Sequence, residues 1–211
     1  MPLRQITFPV GPLACNCTIL GDDGSARAIV IDPGAEVNAI VSCLAEHEWK
    51  LEAILVTHAH IDHIGGAAEL KRCTGAPVWL NPSDFELYGT LAAQAAWLGV
   101  PVPERTPIDF ELRSSTRISL GGESLEILET PGHTQGSISL FLPSEGKLFA
   151  GDTLFAGSIG RTDLPGGDTV LLQHTLRQVI LGLPDPTVVI PGHGPQTTIA
   201  RERRTNPFLQ G

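Results

Sequence analysis

The sequence predicts an α/β fold in which mixed β-sheets and helices pack as a sandwich. Strand and helix patterns alternate near both ends of the chain, whereas the middle contains a succession of short strands separated by turn residues. A chain of 211 residues with 42% hydrophobic residues can bury one substantial core, and it contains no low-complexity linker. We therefore expect residues 1–211 to form a single domain.

The early part of the chain predicts a β-α-β unit. Residues 28–31 and 53–56 are short, continuously apolar and partly β-branched, as is typical of strands covered on both faces. Two such strands are expected at the centre of a sheet. Apolar residues recur between them at helical spacing and predict a helix that crosses over and packs on the sheet: Val37, Ile40, Val41, Leu44 and Ala45.

The middle and the end of the chain predict further strands and a second helix. The helix is predicted to begin after Asp168, which suits an N-cap, and to end at Gly182. A buried strand is predicted to follow at residues 187–190. Short strands are predicted in the middle of the chain at residues 109–113, 116–120, 124–129, 137–142 and 147–150.

The composition limits the classes of partner. A net charge of −9 argues against a protein that binds nucleic acid over a wide surface, because such proteins neutralise phosphates with clustered Lys and Arg. The one basic cluster, Arg201 with Arg203 and Arg204, is interpreted as a solvated helix face. No apolar run approaches the roughly 20 residues needed to cross a bilayer, and residues 1–11 lack the apolar core of a signal peptide. We expect a cytoplasmic protein that contacts neither nucleic acid nor membrane.

The four cysteines fit this expectation. Cys15 and Cys17 point to one face of a predicted strand, and Cys43 and Cys73 fall in predicted helices. They are interpreted as reduced thiols rather than as disulfides or a thiolate metal site. No chemistry is assigned to them.

Histidines and carboxylates cluster where predicted strands end. His58 and His60 leave a buried strand, and side chains two apart in extended backbone point the same way, so both can bind one ion. Asp62 and His63 fall at the start of a helical pattern that begins near Ile64, and their different direction suits a neighbouring second ion. Such strand-to-loop positions are where binding sites are typically found.

Three further ligands are expected from distant parts of the chain. His133 and His193 each lie in a Pro-Gly-His loop that follows a predicted strand. Asp152 comes at the end of the apolar strand predicted at residues 147–150. Imidazole and carboxylate ligands without thiolate suit zinc, manganese or iron and argue against a structural zinc site. The sequence therefore predicts a buried site for two divalent metal ions. Its ligands are His58, His60, Asp62, His63, His133, Asp152 and His193.

At these motifs the chain resembles the metallo-β-lactamase superfamily, and especially the short single-domain members of its glyoxalase II (hydroxyacylglutathione hydrolase) branch. The resemblance also covers Asn16-Cys17, Asp32-Pro33-Gly34 and residues 151–155 running to Gly160-Arg161. It implies a four-layer αβ/βα sandwich of two mixed β-sheets, with helices on the outer faces and metals at the sheet edge. In this family pattern His58, His60 and His133 hold the first metal, Asp62, His63 and His193 hold the second, and Asp152 bridges them.

The resemblance implies a hydrolase that needs no side-chain nucleophile, because a hydroxide shared by two metal ions attacks the substrate carbonyl. Zinc is the favoured metal, with iron and manganese as alternatives. The preferred substrate is a small-molecule acyl thioester such as lactoylglutathione, which makes the protein a thioesterase.

Arg161 is the candidate contact for a substrate carboxylate, and a structural role in its Gly-rich loop is the equal alternative. Asp32 fits a position behind the metals as well as a turn-forming role.

Other functions and roles stay open. Persulfide dioxygenases resemble this sequence, including the stretch from Gly160 to Asp163, but use one iron ion and oxygen. Lactone hydrolysis is a further alternative, and β-lactamase activity is disfavoured because such enzymes are normally exported. Only a short segment follows His193, so a glutathione-binding C-terminal domain is not expected, and Tyr88 lies outside the recognised motifs.

Several helical residues are interpreted as structural. His47 and His174 are assigned to the surfaces of predicted helices. In the segment from Ala92 to Leu98, core packing of Trp97 is favoured over a pocket cover or a subunit interface. The sequence defines neither the oligomeric state nor the role of residues 82–108.

Overall fold

The computed structural model describes residues 2–210 as two six-stranded β-sheets with helices packed against them. Met1 and Gly211, which the single-domain prediction includes, lie outside the described residues. The strands of the first sheet, in spatial order, are β1 (Arg4–Val10), β2 (Cys15–Asp22), β3 (Arg27–Ile31), β4 (Lys50–Leu55), β5 (Val78–Leu80) and β6 (Phe110–Glu111).

The second half of the chain forms the second sheet and a small hairpin. Its strands are β7 (Arg117–Leu120), β8 (Glu123–Glu129), β9 (Ile138–Leu142), β10 (Lys147–Gly151), β11 (Leu154–Phe155), β12 (Ser158–Ile159), β13 (Val188–Pro191) and β14 (Thr197–Thr198). The sheet has the order β7-β8-β9-β10-β13-β14, and β11 pairs with β12. Both six-stranded sheets contain parallel and antiparallel neighbours, so the predicted mixed character is confirmed.

Seven α-helices lie within the described residues: α1 (Val37–Glu46), α2 (Ile61–Ile64), α3 (Ala67–Thr74), α4 (Phe85–Gly89), α5 (Leu91–Leu98), α6 (Thr169–Gln178) and α7 (Ile199–Thr205). Short 3-10 turns occur at Pro82–Asp84, Pro143–Glu145, Ile180–Gly182 and Pro207–Leu209. None of the helices in residues 2–210 combines the length and the apolar character that a bilayer span requires.

Three apolar cores separate four layers. The central core lies between the sheets and contains fully buried side chains such as Leu20 and Leu55 from the first sheet and Leu140 from the second. A second core joins the other face of the first sheet to α1, α3 and α5, and a third joins the second sheet to α6 and α7. Each large side chain that is fully buried contributes about 1.5–3 kcal/mol. Helices on both outer faces confirm the predicted four-layer sandwich.

The predicted β-α-β unit is present. β3 and β4 are parallel neighbours in the middle of the first sheet, and α1 crosses between them with Val37, Ile40 and Leu44 buried. His47 is the first residue after α1 rather than a residue inside it, and its ring stacks on Trp49 with 4.4 Å between ring centroids.

The second predicted helix is also present, but it is shorter than expected. The Asp168 side chain accepts a hydrogen bond from the Leu171 amide at 2.9 Å, as an N-cap should. α6 ends at Gln178 because the backbone tightens into the 3-10 turn before Gly182. His174 lies in α6 and is exposed, as predicted.

One of the predicted middle strands is shorter than expected and pairs at the edge of the first sheet. Only Phe110 and Glu111 of residues 109–113 are in a strand, and they pair in parallel with β5 at the edge of the first sheet. Asp109 holds this strand in place, since its carboxylate accepts from the Val78 amide at 2.8 Å and pairs with Lys71 at 2.7 Å. The other four middle strands are confirmed to within a residue or so.

The carboxyl ends of two parallel strand pairs, β3 with β4 and β10 with β13, lie at one edge of the sandwich. The loops that follow β3 and β4 pack backbone against backbone there. A β-carbon added to Gly34 would overlap the carbonyl oxygen of Asp62, and one added to Gly66 would press on the carbonyl oxygen of Pro33 at 2.5 Å. The absence of side chains at these glycines lets α2 approach the end of β3.

Replacing Gly34 by alanine is expected to lower the free energy of unfolding by about 2 to 4 kcal/mol, because the new methyl group forces the two loops apart. Urea denaturation of both proteins measures the difference. Gly89→Ala is the matched control, since an added β-carbon there meets no atom within 4 Å, and its effect is expected to stay within about 0.5 kcal/mol. Equal stability of the two variants would contradict the close packing.

Candidate metal centre

Three histidines form the most buried part of the site. His58 Nε2 lies 3.1 Å from His60 Nδ1, and His133 Nε2 lies 2.9 Å from the same nitrogen. All three side chains are buried, and β4 and β8 deliver them from the two different sheets. These residues are called the first half-site below. Three nitrogens that converge at such distances can surround one cation.

The second half-site consists of Asp62, His63 and His193. His193 Nε2 lies 3.1 Å from Asp62 Oδ2 and 3.4 Å from His63 Nε2, and His63 Nε2 lies 3.7 Å from Asp62 Oδ2. Asp62 and His63 lie in α2, at the start of a helix as the sequence indicated, and the His63 ring also packs against that of His58, with 4.0 Å between the ring centroids. The side chain of His193 is 27% exposed, which makes it the most open of the site histidines.

Asp152 lies between the half-sites. Its Oδ1 is 3.4 Å from His63 Nε2, and its Oδ2 is 3.6 Å from His133 Nε2 and 3.7 Å from His193 Nε2. Oδ1 is buried and accepts no hydrogen bond from the described protein atoms. An unpaired buried carboxylate oxygen is costly unless a cation satisfies it. The cluster of imidazole and carboxylate donors therefore fits, and implies, divalent metal ions.

Backbone carbonyl groups orient two of the histidines. His133 Nδ1 donates to the carbonyl oxygen of Arg161 at 2.7 Å, and His193 Nδ1 donates to the carbonyl oxygen of Leu13 at 3.0 Å. With the proton on Nδ1, the lone pair of Nε2 faces into the site. Neither carbonyl contact was predicted, because a main-chain acceptor leaves no mark in the choice of side chain.

Asp32 orients a third histidine and was left open by the sequence. Its Oδ2 lies 2.9 Å from His63 Nδ1, and its two oxygens accept from the amide and the hydroxyl of Thr57, both at 2.7 Å. Asp32 is buried and has a φ of 53°, which a turn-forming Asp tolerates. The residue thus combines the two roles considered for it, a turn after β3 and a support directly behind the site. Thr57 in turn lies 3.1 Å from His58 Nδ1 through its hydroxyl oxygen.

Burial keeps the first half-site uncharged. It lowers the pKa of His60 to about 3 and holds the pKa values of His58 and His133 below the usual histidine range. Neutral imidazole is the form that binds a metal. Burial also acts to lower the pKa of His63, but the surrounding carboxylates, Asp152 foremost, outweigh it and raise that pKa.

Asp84 is a buried residue that sequence analysis missed. Its carboxylate accepts from the Ala59 amide at 2.9 Å, the Thr134 hydroxyl at 2.9 Å and the Gly136 amide at 2.7 Å. Ala59 lies between His58 and His60, and Thr134 follows His133, so Asp84 ties the two loops of the first half-site together. Burial raises the pKa of this carboxyl. A lone Asp in an unassigned segment gives no sequence signal for this role.

Residues 82–108 form a wall beside the site. Gln94 of α5 accepts from the Ile61 amide at 2.9 Å through its side-chain oxygen, and its side-chain amide lies 3.3 Å from the Ala59 carbonyl oxygen. Leu91 and Ala95 are buried, but Trp97 is 66% exposed. The favoured prediction of core packing is therefore wrong for Trp97.

Arg161 lies at the rim beside this wall. Its guanidinium pairs with Asp163 through two hydrogen bonds of 2.8 Å, and its Cζ is 6.0 Å from the centre of the Trp97 ring. The backbone of Arg161 has a structural role through its bond to His133. A contact between the guanidinium and a substrate carboxylate stays a prediction.

Cys15 lies closer to the site than expected. The four cysteines are free thiols, as predicted, but Cys15 Sγ is 3.5 Å from His63 Nδ1. Burial raises the pKa of this thiol to about 12, so it stays protonated. Its position at the start of β2, directly before Asn16, was the only available signal.

Comparison with known proteins agrees with this geometry. The model of the Metallo-beta-lactamase superfamily matches residues 10–193. Hydroxyacylglutathione hydrolase GloC of Haemophilus influenzae is 40% identical over 205 residues, which cover 96% of this chain and 96% of that protein. The crystal structure of BLEG-1 B3 metallo-beta-lactamase has a TM-score of 0.91 at 37% identity and covers 99% of this chain and 100% of its own. The crystal structure of TTHA1623 in a di-iron-bound form has a TM-score of 0.86 at 38% identity, and the match covers 97% of this chain and 100% of that chain.

Replacing Asp84 by asparagine is expected to lower the free energy of unfolding of the metal-free protein by about 2 kcal/mol or more. The side-chain NH2 would face a backbone N–H or a hydroxyl donor in a buried position, which leaves a donor without an acceptor. Denaturation in the presence of a chelator measures the change. Asp185→Asn is the control, because Asp185 pairs with Arg203 at the surface and its loss costs about 1 kcal/mol at most. A loss no larger than that of the control would refute the role given to Asp84.

Proposed function

Because the chain belongs to the metallo-beta-lactamase superfamily, we propose that it is a metal-dependent hydrolase of small acyl thioesters, with hydroxyacylglutathiones as the preferred class. The observation that carries the proposal is the position of Asp152, whose carboxylate lies between the half-sites, 3.4 Å from His63 Nε2 of the second and 3.6 Å from His133 Nε2 of the first. We assign the first metal ion to His58, His60 and His133, the second to Asp62, His63 and His193, and the bridging position to Asp152.

Divalent cations held by these residues would supply a water of lowered pKa and an electrophile for the substrate carbonyl. The residues of the chain supply the orientation. The carbonyl groups of Arg161 and Leu13 and the carboxylate of Asp32 hold three histidines with Nε2 facing inward. The glycine at position 192 leaves space for Asp152, since a β-carbon there would overlap Asp152 Oδ1.

Two considerations favour a thioester as substrate. A thiol has a pKa of about 8.5, so a thiolate leaves near neutral pH with little help from a proton donor. The relative named hydroxyacylglutathione hydrolase supports glutathione conjugates in particular, because it is similar to this chain over nearly its whole length. Zinc suits the donor set, and the di-iron-bound form of TTHA1623 supports iron as an alternative.

The deciding experiment is a substrate panel on protein loaded separately with zinc and with iron. We expect the zinc form to release free thiol from lactoylglutathione and other acylglutathiones, and chelation to remove this activity. The panel includes a lactone and a β-lactam, which test the neighbouring hydrolase classes. Zinc-loaded protein that cleaves no acylglutathione would refute the proposal.

A mononuclear-iron persulfide dioxygenase is the second candidate. It is favoured by the stretch from Gly160 to Asp163 and by the unequal burial of the half-sites, since the first is closed and His193 of the second is partly exposed. Iron-loaded protein that takes up oxygen with glutathione persulfide, and shows no thioesterase activity in either form, would support this candidate instead.

Replacing Asp152 by asparagine is expected to reduce kcat/KM for the best thioester by at least about 100-fold, because the amide offers one neutral oxygen where two anionic oxygens face the half-sites. Elemental analysis is expected to show reduced metal content. The surface variant Asp185→Asn should retain both activity and metal. Full activity of Asp152→Asn would contradict the bridging role.

Replacing Arg161 by glutamine is expected to raise KM about tenfold for thioesters that carry a carboxylate near the thiol, with little change in kcat. The backbone bond to His133 is kept in this variant, so the loop itself stays in place. Neutral thioesters of the same acyl group should show no such change. Arg203→Gln is the control, because Arg203 also pairs with an exposed aspartate. Equal effects on charged and neutral substrates would assign Arg161 a structural role only.

A further inference from the structure

The start of β2 holds the loop that carries His193. The Asn16 side-chain amide donates to the carbonyl oxygens of Pro191 and Gly194, both at 2.9 Å, and the Asn16 backbone amide donates to that of Gly192 at 2.7 Å. These three hydrogen bonds lie on both sides of His193 in the sequence. One residue of β2 therefore fixes the backbone of the loop before and after the ligand.

Neighbours of Asn16 contact the histidine side chains themselves. The Leu13 carbonyl oxygen accepts from His193 Nδ1 at 3.0 Å, and Cys15 forms an isolated antiparallel β-bridge with His193. Cys15 Sγ also lies 3.5 Å from His63 Nδ1. We call residues Leu13, Cys15 and Asn16 the clamp. Both histidines of the second half-site touch it.

The first half-site is held by different residues. The hydrogen bonds found for the clamp within residues 2–210 do not reach His58, His60 or His133. Asp84 and the Arg161 carbonyl support that half-site instead. The clamp and these two supports share no residue, and the link between the half-sites runs instead through Asp32, which contacts His63 and, by way of Thr57, His58.

The His193 loop depends on an outside support because glycine flanks the histidine on both sides. A β-carbon at Gly192 would overlap Asp152 Oδ1, so a side chain cannot stiffen the loop there. Gly194 has a φ of 75°, which favours glycine. Glycine has the greatest backbone freedom of all residues, and hydrogen bonds from elsewhere must remove it if His193 is to stay in place.

We propose that the clamp consists of positioning residues that set the occupancy of the second half-site independently of the first. The inference rests on the metal centre assigned under the proposed function. It adds that the number of metal ions bound by this chain is controlled from β2, through Asn16 above all. Loss of the clamp would convert a two-metal centre into a one-metal centre without changing any ligand.

The test is Asn16→Asp, which preserves shape but replaces two N–H donors with oxygens that face two carbonyl groups. We expect metal content to fall from about two ions per chain to about one, and affinity for the weaker ion to fall about 10- to 100-fold. Elemental analysis and competition with a chromogenic chelator measure these quantities. Asn38→Asp is the matched control, because Asn38 is exposed on α1 and the substitution changes the net charge by the same amount.

Two further variants fix the meaning of the result. His193→Ala removes a proposed ligand directly, and the Asn16→Asp protein should resemble it in metal content and in the absorption spectrum of its cobalt form. Asn16→Ser retains one hydrogen-bond donor, so its affinity for the weaker ion should lie between those of the unchanged protein and Asn16→Asp. If thermal unfolding shows that Asn16→Asp does not fold, Asn16→Ser takes its place in the test. Retention of both ions, or equal loss of both by a folded variant, would overturn the proposal. Metal content is measured without substrate, so a failure of the thioesterase assay leaves this result unaffected.

Discussion

The crowding of metal-binding groups around Asp152 is the constraint on which the rest of the structure depends. Its two oxygens lie within 3.4 to 3.7 Å of three imidazole nitrogens, and one oxygen has no protein donor among the described residues. That oxygen is buried, so solvent cannot satisfy it. The surrounding fold must hold the carboxylate and the nitrogens together against the cost of burial until cations bind. Rigid supports rather than long flexible side chains are the physical answer to that demand.

Main-chain groups provide much of this rigidity. Glycines at positions 34, 66 and 192 let backbone approach backbone, or the Asp152 side chain, where any side chain of their own would collide. The carbonyl groups of Leu13 and Arg161 fix two ring orientations. Such supports cost little side-chain entropy, because the backbone is already ordered by the two sheets. The carboxyl ends of β3, β4, β10 and β13 bring these loops to one edge, so the sheet topology determines where the centre forms.

The strands that position the donor cluster could be predicted from the sequence, whereas several contacts that support it could not. Continuous apolar runs identified β3 and β4, and the repeated Pro-Gly-His pattern identified two strand ends, because periodicity and turn residues are local signals. The role of Asp84 could not be predicted, since its three partners lie in segments distant from it in the sequence. Residues around Trp97 are apolar on nearly all sides of α5, so the pattern did not identify the exposed face. The strand predicted at residues 109–113 is confirmed only at Phe110 and Glu111, because two residues of pairing leave almost no periodicity from which to predict its bounds.

The contact between β2 and the His193 loop has a consequence for how the molecule folds. The Leu13 carbonyl and the His193 ring are 180 positions apart in the sequence, and the Asn16 contacts span similar distances. Contacts of such long range form late, because the loop-closure entropy must be overcome before they contribute any stabilisation. On the ribosome, β2 emerges long before its partner loop has been synthesised. The donor cluster is thus complete only when Leu13 and Asn16 have met the His193 loop, so its assembly depends on one of the last long-range contacts to form.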